Sequence, residues 1–166
     1  MIPIKDENNQ KEKVALIGCG LIGQSWAISF LRAGFDVSLF DPVEGVTVQA
    51  KENIKAKLSD LQNHGLLENK NISDYLDKIH LAGDISQAVG GSIYVQESGP
   101  EDLDIKKELT KNIDAATPDD IPIASSTSGI PTSLYANDVQ GKYRCLVAHP
   151  INPPHLILSL IHISEP

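Results

Sequence analysis

Short apolar runs alternate along this chain with longer stretches whose apolar residues recur at helical spacing, the signatures of buried strands and of one-sided helices. Residues 14–17 form an apolar run that stops at glycines. Residues 21–33 then carry Ile22, Trp26, Phe30 and Leu31 at helical spacing until Gly34 interrupts them. Residues 37–40 read as a second strand, closed by Asp41-Pro42 because proline discourages continuation. Strand, tight turn, helix and strand within about thirty residues make one βαβ unit with a right-handed crossover.

A second helix is expected over 44–64, with Val48, Ile54, Leu58 and Leu61 as its buried stripe and Gly65 as its stop. Apolar runs at 79–82, 93–96, 121–125 and 144–148 follow, separated by helical stretches near 85–89 and over 101–115. This alternation predicts an α/β fold of the Rossmann type, a doubly wound, mostly parallel sheet of about six strands with helices on both faces. No internal repeat or low-complexity tract breaks the pattern.

At 166 residues the chain fits one domain with its own core. Residues 1–12 are a polar leader without the apolar core of a signal peptide, so the organised domain is expected over 13–157. The hydrophobic share of 41% and charged share of 22% are ordinary for a soluble protein, and no run approaches membrane-spanning length. A net charge of -8 argues against nucleic acid or an anionic membrane as a partner, because neutralising phosphates needs clustered Lys and Arg. Any phosphate bound here must be held by backbone. Cys19 and Cys145 offer neither metal-ligand spacing nor a disulfide framework, so no metal is expected and a reducing cytoplasm fits.

Gly18-Cys19-Gly20-Leu21-Ile22-Gly23 fits G-x-G-x-x-G, a weak pattern by itself. Its context adds weight: a strand precedes it, a helix follows, and an acid ends the next strand. In such a turn the first glycine permits the bend, the second lets backbone approach a pyrophosphate, and the third lets helix pack on sheet. Free N–H groups and the positive helix end then hold the diphosphate. Gly18, Gly20, Leu21, Ile22 and Gly23 are the expected cofactor-binding set. Asp41, 18 residues beyond Gly23, can accept both ribose hydroxyls of an adenosine half and would repel a 2′-phosphate, which predicts NAD over NADP. The alternative for Asp41 is simply the first position of an Asp-Pro turn. Arg32, the only nearby arginine, sits inside the helix.

Two polar segments follow later strands: Ser125-Ser126-Thr127-Ser128-Gly129, and Ala148-His149-Pro150-Ile151-Asn152-Pro153-Pro154. In open α/β sheets such strand ends line the ligand crevice. His149 suits the role of proton acceptor for an alcohol, since its ordinary pKa lies near neutrality, although a histidine closing a strand is an equal reading. Ser128 also fits a turn or helix-capping hydroxyl. His64, His80 and His155 lack a supporting pattern and are expected at the surface or rim. No G-x-S-x-G elbow supports a serine hydrolase.

Together, V-A-L-I-G-C-G-L-I-G-Q-S-W-A, Y-V-Q-E-S-G-P-E-D-L, S-S-T-S-G and V-A-H-P-I-N-P-P resemble the 3-hydroxyacyl-CoA dehydrogenase family over roughly residues 13–157. The Q-S-W-A helix start, the Q-E-x-x-P-E-D-L segment and the A-H-P-x-N-P-P turn look most like its lambda-crystallin and L-gulonate 3-dehydrogenase branch, with carnitine dehydrogenases near. The resemblance implies NAD-dependent oxidation of a 3-hydroxy group of a small 3-hydroxyacyl-CoA or 3-hydroxyacid. It implies that His149 is the general base, that Ser128 bonds the reacting oxygen, that Asn152 positions substrate and nicotinamide, and that Glu97 lies close to the cofactor. For Glu97 a strand-end charge without a ligand is the alternative. Other enzymes sharing the glycine turn, of the 3-hydroxyisobutyrate or 6-phosphogluconate dehydrogenase type, rely on a later lysine, and H-P-x-N-P-P favours the first resemblance. A non-catalytic, crystallin-like structural role is a further alternative.

The family orients its histidine with a glutamate 12 residues downstream, a position occupied here by Ile161. Without that carboxylate the imidazolium loses support. Residues 158–166 resemble a translated sequencing adaptor, so this tail is expected to be non-native and the gene to diverge after Ile157. The resemblance further implies a helical C-terminal domain carrying dimer contacts, which this sequence does not contain. A homodimeric full-length parent is therefore expected to be the enzyme, and this chain a weakly active or inactive cofactor domain.

Overall fold

The computed structural model describes residues 12–67, 71–151, 153 and 155, and the backbone of 160 and 161. In chain order the elements are β1 (Lys13–Ile17), α1 (Leu21–Ala33), β2 (Asp36–Phe40), α2 (Val46–Asn63), α3 (Ile72–Leu76), β3 (Ile79–Leu81), α4 (Ile85–Val89), β4 (Ser92–Glu97), α5 (Leu103–Ala116), β5 (Ile123–Ser125), α6 (Thr132–Tyr135), β6 (Cys145–Val147), β7 (His149–Pro150) and β8 (Leu160–Ile161). Six strands make one sheet in the order β3-β2-β1-β4-β5-β6, and every pairing is parallel. The strand order reverses between β1 and β4, the place where open α/β sheets bind ligands.

Both faces of the sheet are covered, which explains why its strands read as unbroken apolar runs. Along β1, Val14 and Leu16 join Trp26, Ile28 and Leu31 of α1 and Ile54 and Leu58 of α2 in one core. Ala15 and Ile17 point the other way, toward Ala88 and Val89 of α4 and Ile113 of α5. Gly34 ends α1 in the left-handed region at φ 98°, and the N–H of Phe35 reaches back to the carbonyl of Phe30 at 3.1 Å.

One expected core position is corrected. Val48 is 57% exposed, and the buried stripe of α2 is Ala50, Ile54, Leu58 and Leu61. At 3.6 residues per turn Val48 lies about 120° around the helix from Ile54, outside the stripe. The sequence reading also passed over α3, α6 and the β7–β8 pair, each too short to show a period. Of these only α3 announces itself locally, through a capping box between Asn71 and Asp74.

Candidate active site

The glycine turn has the geometry of a phosphate cradle. Gly18 sits at φ 95°, and a Cβ there would stand 2.7 Å from the carbonyl of Ser98. A Cβ on Gly23 would come within 1.9 Å of the carbonyl oxygen of Gly18, so only glycine lets α1 approach the turn this closely. Around Gly20, by contrast, an added Cβ would meet nothing within 4 Å. The N-terminus of α1 carries no side-chain cap and no acid in its first turn. Its leading N–H groups are therefore not taken up by a capping side chain. Leu21 is 59% exposed at this mouth, and Ile22 lines the adjoining crevice.

Asp41 closes the turn from β2. Its Oδ2 accepts the N–H of Cys19 at 2.9 Å and its Oδ1 the N–H of Val43 at 3.0 Å, while Gly18 donates to the carbonyl of Phe40 at 2.8 Å. The Asp-Pro turn and the cradle are thus one construction. A carboxylate has about four acceptor positions, so each oxygen keeps one beyond these amides. Burial, reinforced by Asp41, pushes the Cys19 thiol up to about 12, so it stays protonated. The guanidinium of Arg32 donates to the carbonyls of His155 and Leu66 at 2.8 and 3.2 Å.

Beyond the reversal point lies a crevice of about 520 Å³, whose walls include Ile22, Ser98, Glu101, Ser126, Ser128 and His149. Ser128 and His149 therefore share one space next to the start of α1. Asn152 lies outside the described residues. Glu97, expected beside the cofactor, is 1% exposed, and its carboxylate meets Lys106 Nζ at 3.1 and 2.9 Å. It also receives the N–H of Gly99 and the hydroxyl of Ser125. Glu97 thus acts inside the fold, and touches the crevice only through the backbone it fixes.

The carboxylate that does face the crevice is Glu101, which the sequence reading passed over. Its Oε1 accepts Thr127 Oγ1 at 2.6 Å, the N–H groups of Ser128 and Gly129 at 3.0 and 3.1 Å, and Ser128 Oγ at 3.3 Å. Partial burial opposes its charge, but these donors and Lys106 together hold its pKa below the ordinary carboxylate value. Glu97 still belongs to β4, whereas Glu101 stands past the strand end, where ligands bind.

His64 and His80 are exposed, as expected, with His80 Nε2 3.2 Å from Asp36. His155 is half-buried against Ser25 Oγ at 3.2 Å, and burial together with Lys57 and Arg32 lowers its pKa. Among the described residues no cluster of His, Cys, Asp and Glu could hold a metal, and no helix is long and apolar enough to cross a membrane.

An uncapped helix at the switch point of a 3-2-1-4-5-6 sheet, with an acid just past β2, defines a Rossmann domain of the NAD-binding class. Residues 13–164 match the model of the 3-hydroxyacyl-CoA dehydrogenase NAD-binding domain, and the chain belongs to that family. It is 39% identical over 145 residues to an L-carnitine dehydrogenase of Streptomyces griseus, covering 87% of this chain and 42% of that protein. Against the human lambda-crystallin homolog the identity is 38% over 146 residues, covering 87% and 46%. The crystal structure of Escherichia coli 3-hydroxybutyryl-CoA dehydrogenase superposes with a TM-score of 0.80 at 25% identity, covering 87% of this chain and 30% of that one. The chain thus spans less than half the length of these relatives.

Proposed function

We propose that this domain is the cofactor half of an NAD-dependent dehydrogenase that oxidises the 3-hydroxy group of a small hydroxyacid or hydroxyacyl-CoA to a 3-keto group, with His149 as general base. The observation that carries this reading is the shared crevice, in which Ser128 and His149 face the start of α1. When bound, NAD supplies the hydride acceptor. The hydroxyl proton of the substrate passes to the His149 imidazole, while the C–H hydrogen leaves with its electron pair, so the carbinol becomes a carbonyl. Ser128 Oγ holds the reacting oxygen. Its bond to Glu101 is the longest of the four that Oε1 accepts, and so the simplest to exchange for a substrate oxygen. Asn152 positions substrate and nicotinamide.

Asp41 favours NAD over NADP by charge, and Arg32 spends two of its donors on carbonyls rather than on a 2′-phosphate. Across the β7–β8 ladder the Cα partner of His149 is residue 161. Ile161 supplies no carboxylate at that position.

The test is NADH production by the full-length protein on L-gulonate, L-carnitine and 3-hydroxybutyryl-CoA. His149→Ala is expected to lower kcat by about 10²–10⁴-fold with NAD affinity retained. Unchanged turnover in that variant removes His149 as the base. NAD binding without turnover on any substrate replaces the catalytic reading by a structural one of the crystallin kind.

A further inference from the structure

We propose that Ser98 is a further cofactor-binding residue, a hydroxyl donor presented to the nicotinamide-riboside half of bound NAD. The proposal rests on NAD binding at the glycine turn and on a hydrogen-bond network whose polarity is set from within the fold.

The network begins at Tyr94, whose phenol donates to Gln96 Oε1 at 2.6 Å. Burial pushes the Tyr94 phenol up, so it remains a donor. With its oxygen held there, the fully buried Gln96 turns its Nε2 onto Ser126 Oγ at 2.7 Å. Trp26 Nε1 donates to the same Ser126 oxygen at 3.0 Å. An indole N–H and an amide N–H can only donate, and a hydroxyl has two lone pairs and one proton. Both lone pairs of Ser126 are therefore filled. Its remaining neighbour is Ser98 Oγ at 2.9 Å, which must receive the Ser126 proton. Ser98 accepts on that side and keeps its own proton to give.

Position supplies the rest. Ser98 follows β4 directly, lines the crevice, and stands beside the glycine turn, its Cβ 3.7 Å from where a Cβ on Gly23 would be. Asp41 marks the adenosine side at the end of β2, so the ends of β4 and β5 serve the other half of the dinucleotide. Aromatic packing of Trp26 on Phe30 at 5.6 Å, and of Phe30 on Tyr94 at 5.7 Å, fixes the rings that anchor the network. Donors held rigid before the ligand arrives lose little on binding.

Calorimetric titration of this chain with NAD and, separately, with ADP tests the proposal. ADP carries the diphosphate and adenosine but no nicotinamide riboside, so its binding also reports an intact fold. Ser98→Ala is expected to weaken NAD about 3–10-fold, the range of one hydrogen bond, and to leave ADP unchanged. Ser98→Cys, with a weaker donor, should fall between. An unchanged NAD affinity, or an equal loss for NAD and ADP, overturns the role of Ser98. If the wild-type chain binds neither ligand, the cofactor reading itself fails.

Discussion

The two halves of the sheet hold their functional groups by opposite means. In the first half, β1, α1 and β2 build a binding surface from backbone: N–H groups, a left-handed glycine and two close approaches that no side chain permits. Its single functional side chain, Asp41, is itself pinned by two backbone amides. In the second half the ends of β4 and β5 offer side chains, tied together largely through two carboxylates. Glu97 grips Lys106 and Ser125, and Glu101 gathers the Thr127-Ser128-Gly129 turn. A backbone site suits a group that every NAD enzyme must bind alike. A side-chain site can be altered residue by residue, which suits the half that meets the substrate.

The largest expected effect comes from breaking the second half at its buried ion pair. Lys106 and Glu97 are both almost wholly out of solvent, so Lys106→Met leaves a carboxylate buried without its counter-charge. That is expected to cost about 3–5 kcal/mol of stability, read as a lowered urea midpoint, and less when Glu97→Gln is added. If the halves are distinct, ADP should still bind Lys106→Met under native conditions. Gly23→Ala reverses the result. Forcing a Cβ against the Gly18 carbonyl is expected to cost about 1–3 kcal/mol and to abolish ADP binding, because the helix end must move off the turn. Loss of ADP binding in both variants would mean that the sheet behaves as one unit.

The same contrast explains what the sequence disclosed. Backbone sites leave a residue-level trace, because only glycine tolerates Gly18's φ or Gly23's contact, and so the cradle was legible together with the α/β order and nearly every long element. Side-chain networks leave no such trace. Whether Glu97 or Glu101 faces the crevice depends on where β4 ends, and strand ends are poorly fixed by pattern. Sequence could not bring Trp26 within 3.0 Å of Ser126, 100 positions away. Val48 was misplaced for a related reason: apolar character says that a residue could be buried, while only the helix phase says whether it is.

The smallest expected effect concerns Glu101, and it sharpens the comparison by pH. Its carboxylate is stabilised in the folded chain, so its pKa lies below the ordinary value of 4.5. A group depressed on folding contributes stability above its unfolded pKa and loses that contribution as the pH falls through the folded one. The difference in unfolding free energy between wild type and Glu101→Gln should therefore be flat at neutral pH and shrink as the pH drops below about 4.5. Glu101 is close to half exposed, so the difference is expected to be modest and weakened by salt. Urea unfolding from pH 3 to 7 at two salt concentrations measures it, over a range chosen to bracket carboxylate titration, roughly pH 4. A difference that stays constant across that range would show that Glu101 organises the Ser128 turn as an acceptor without help from its charge.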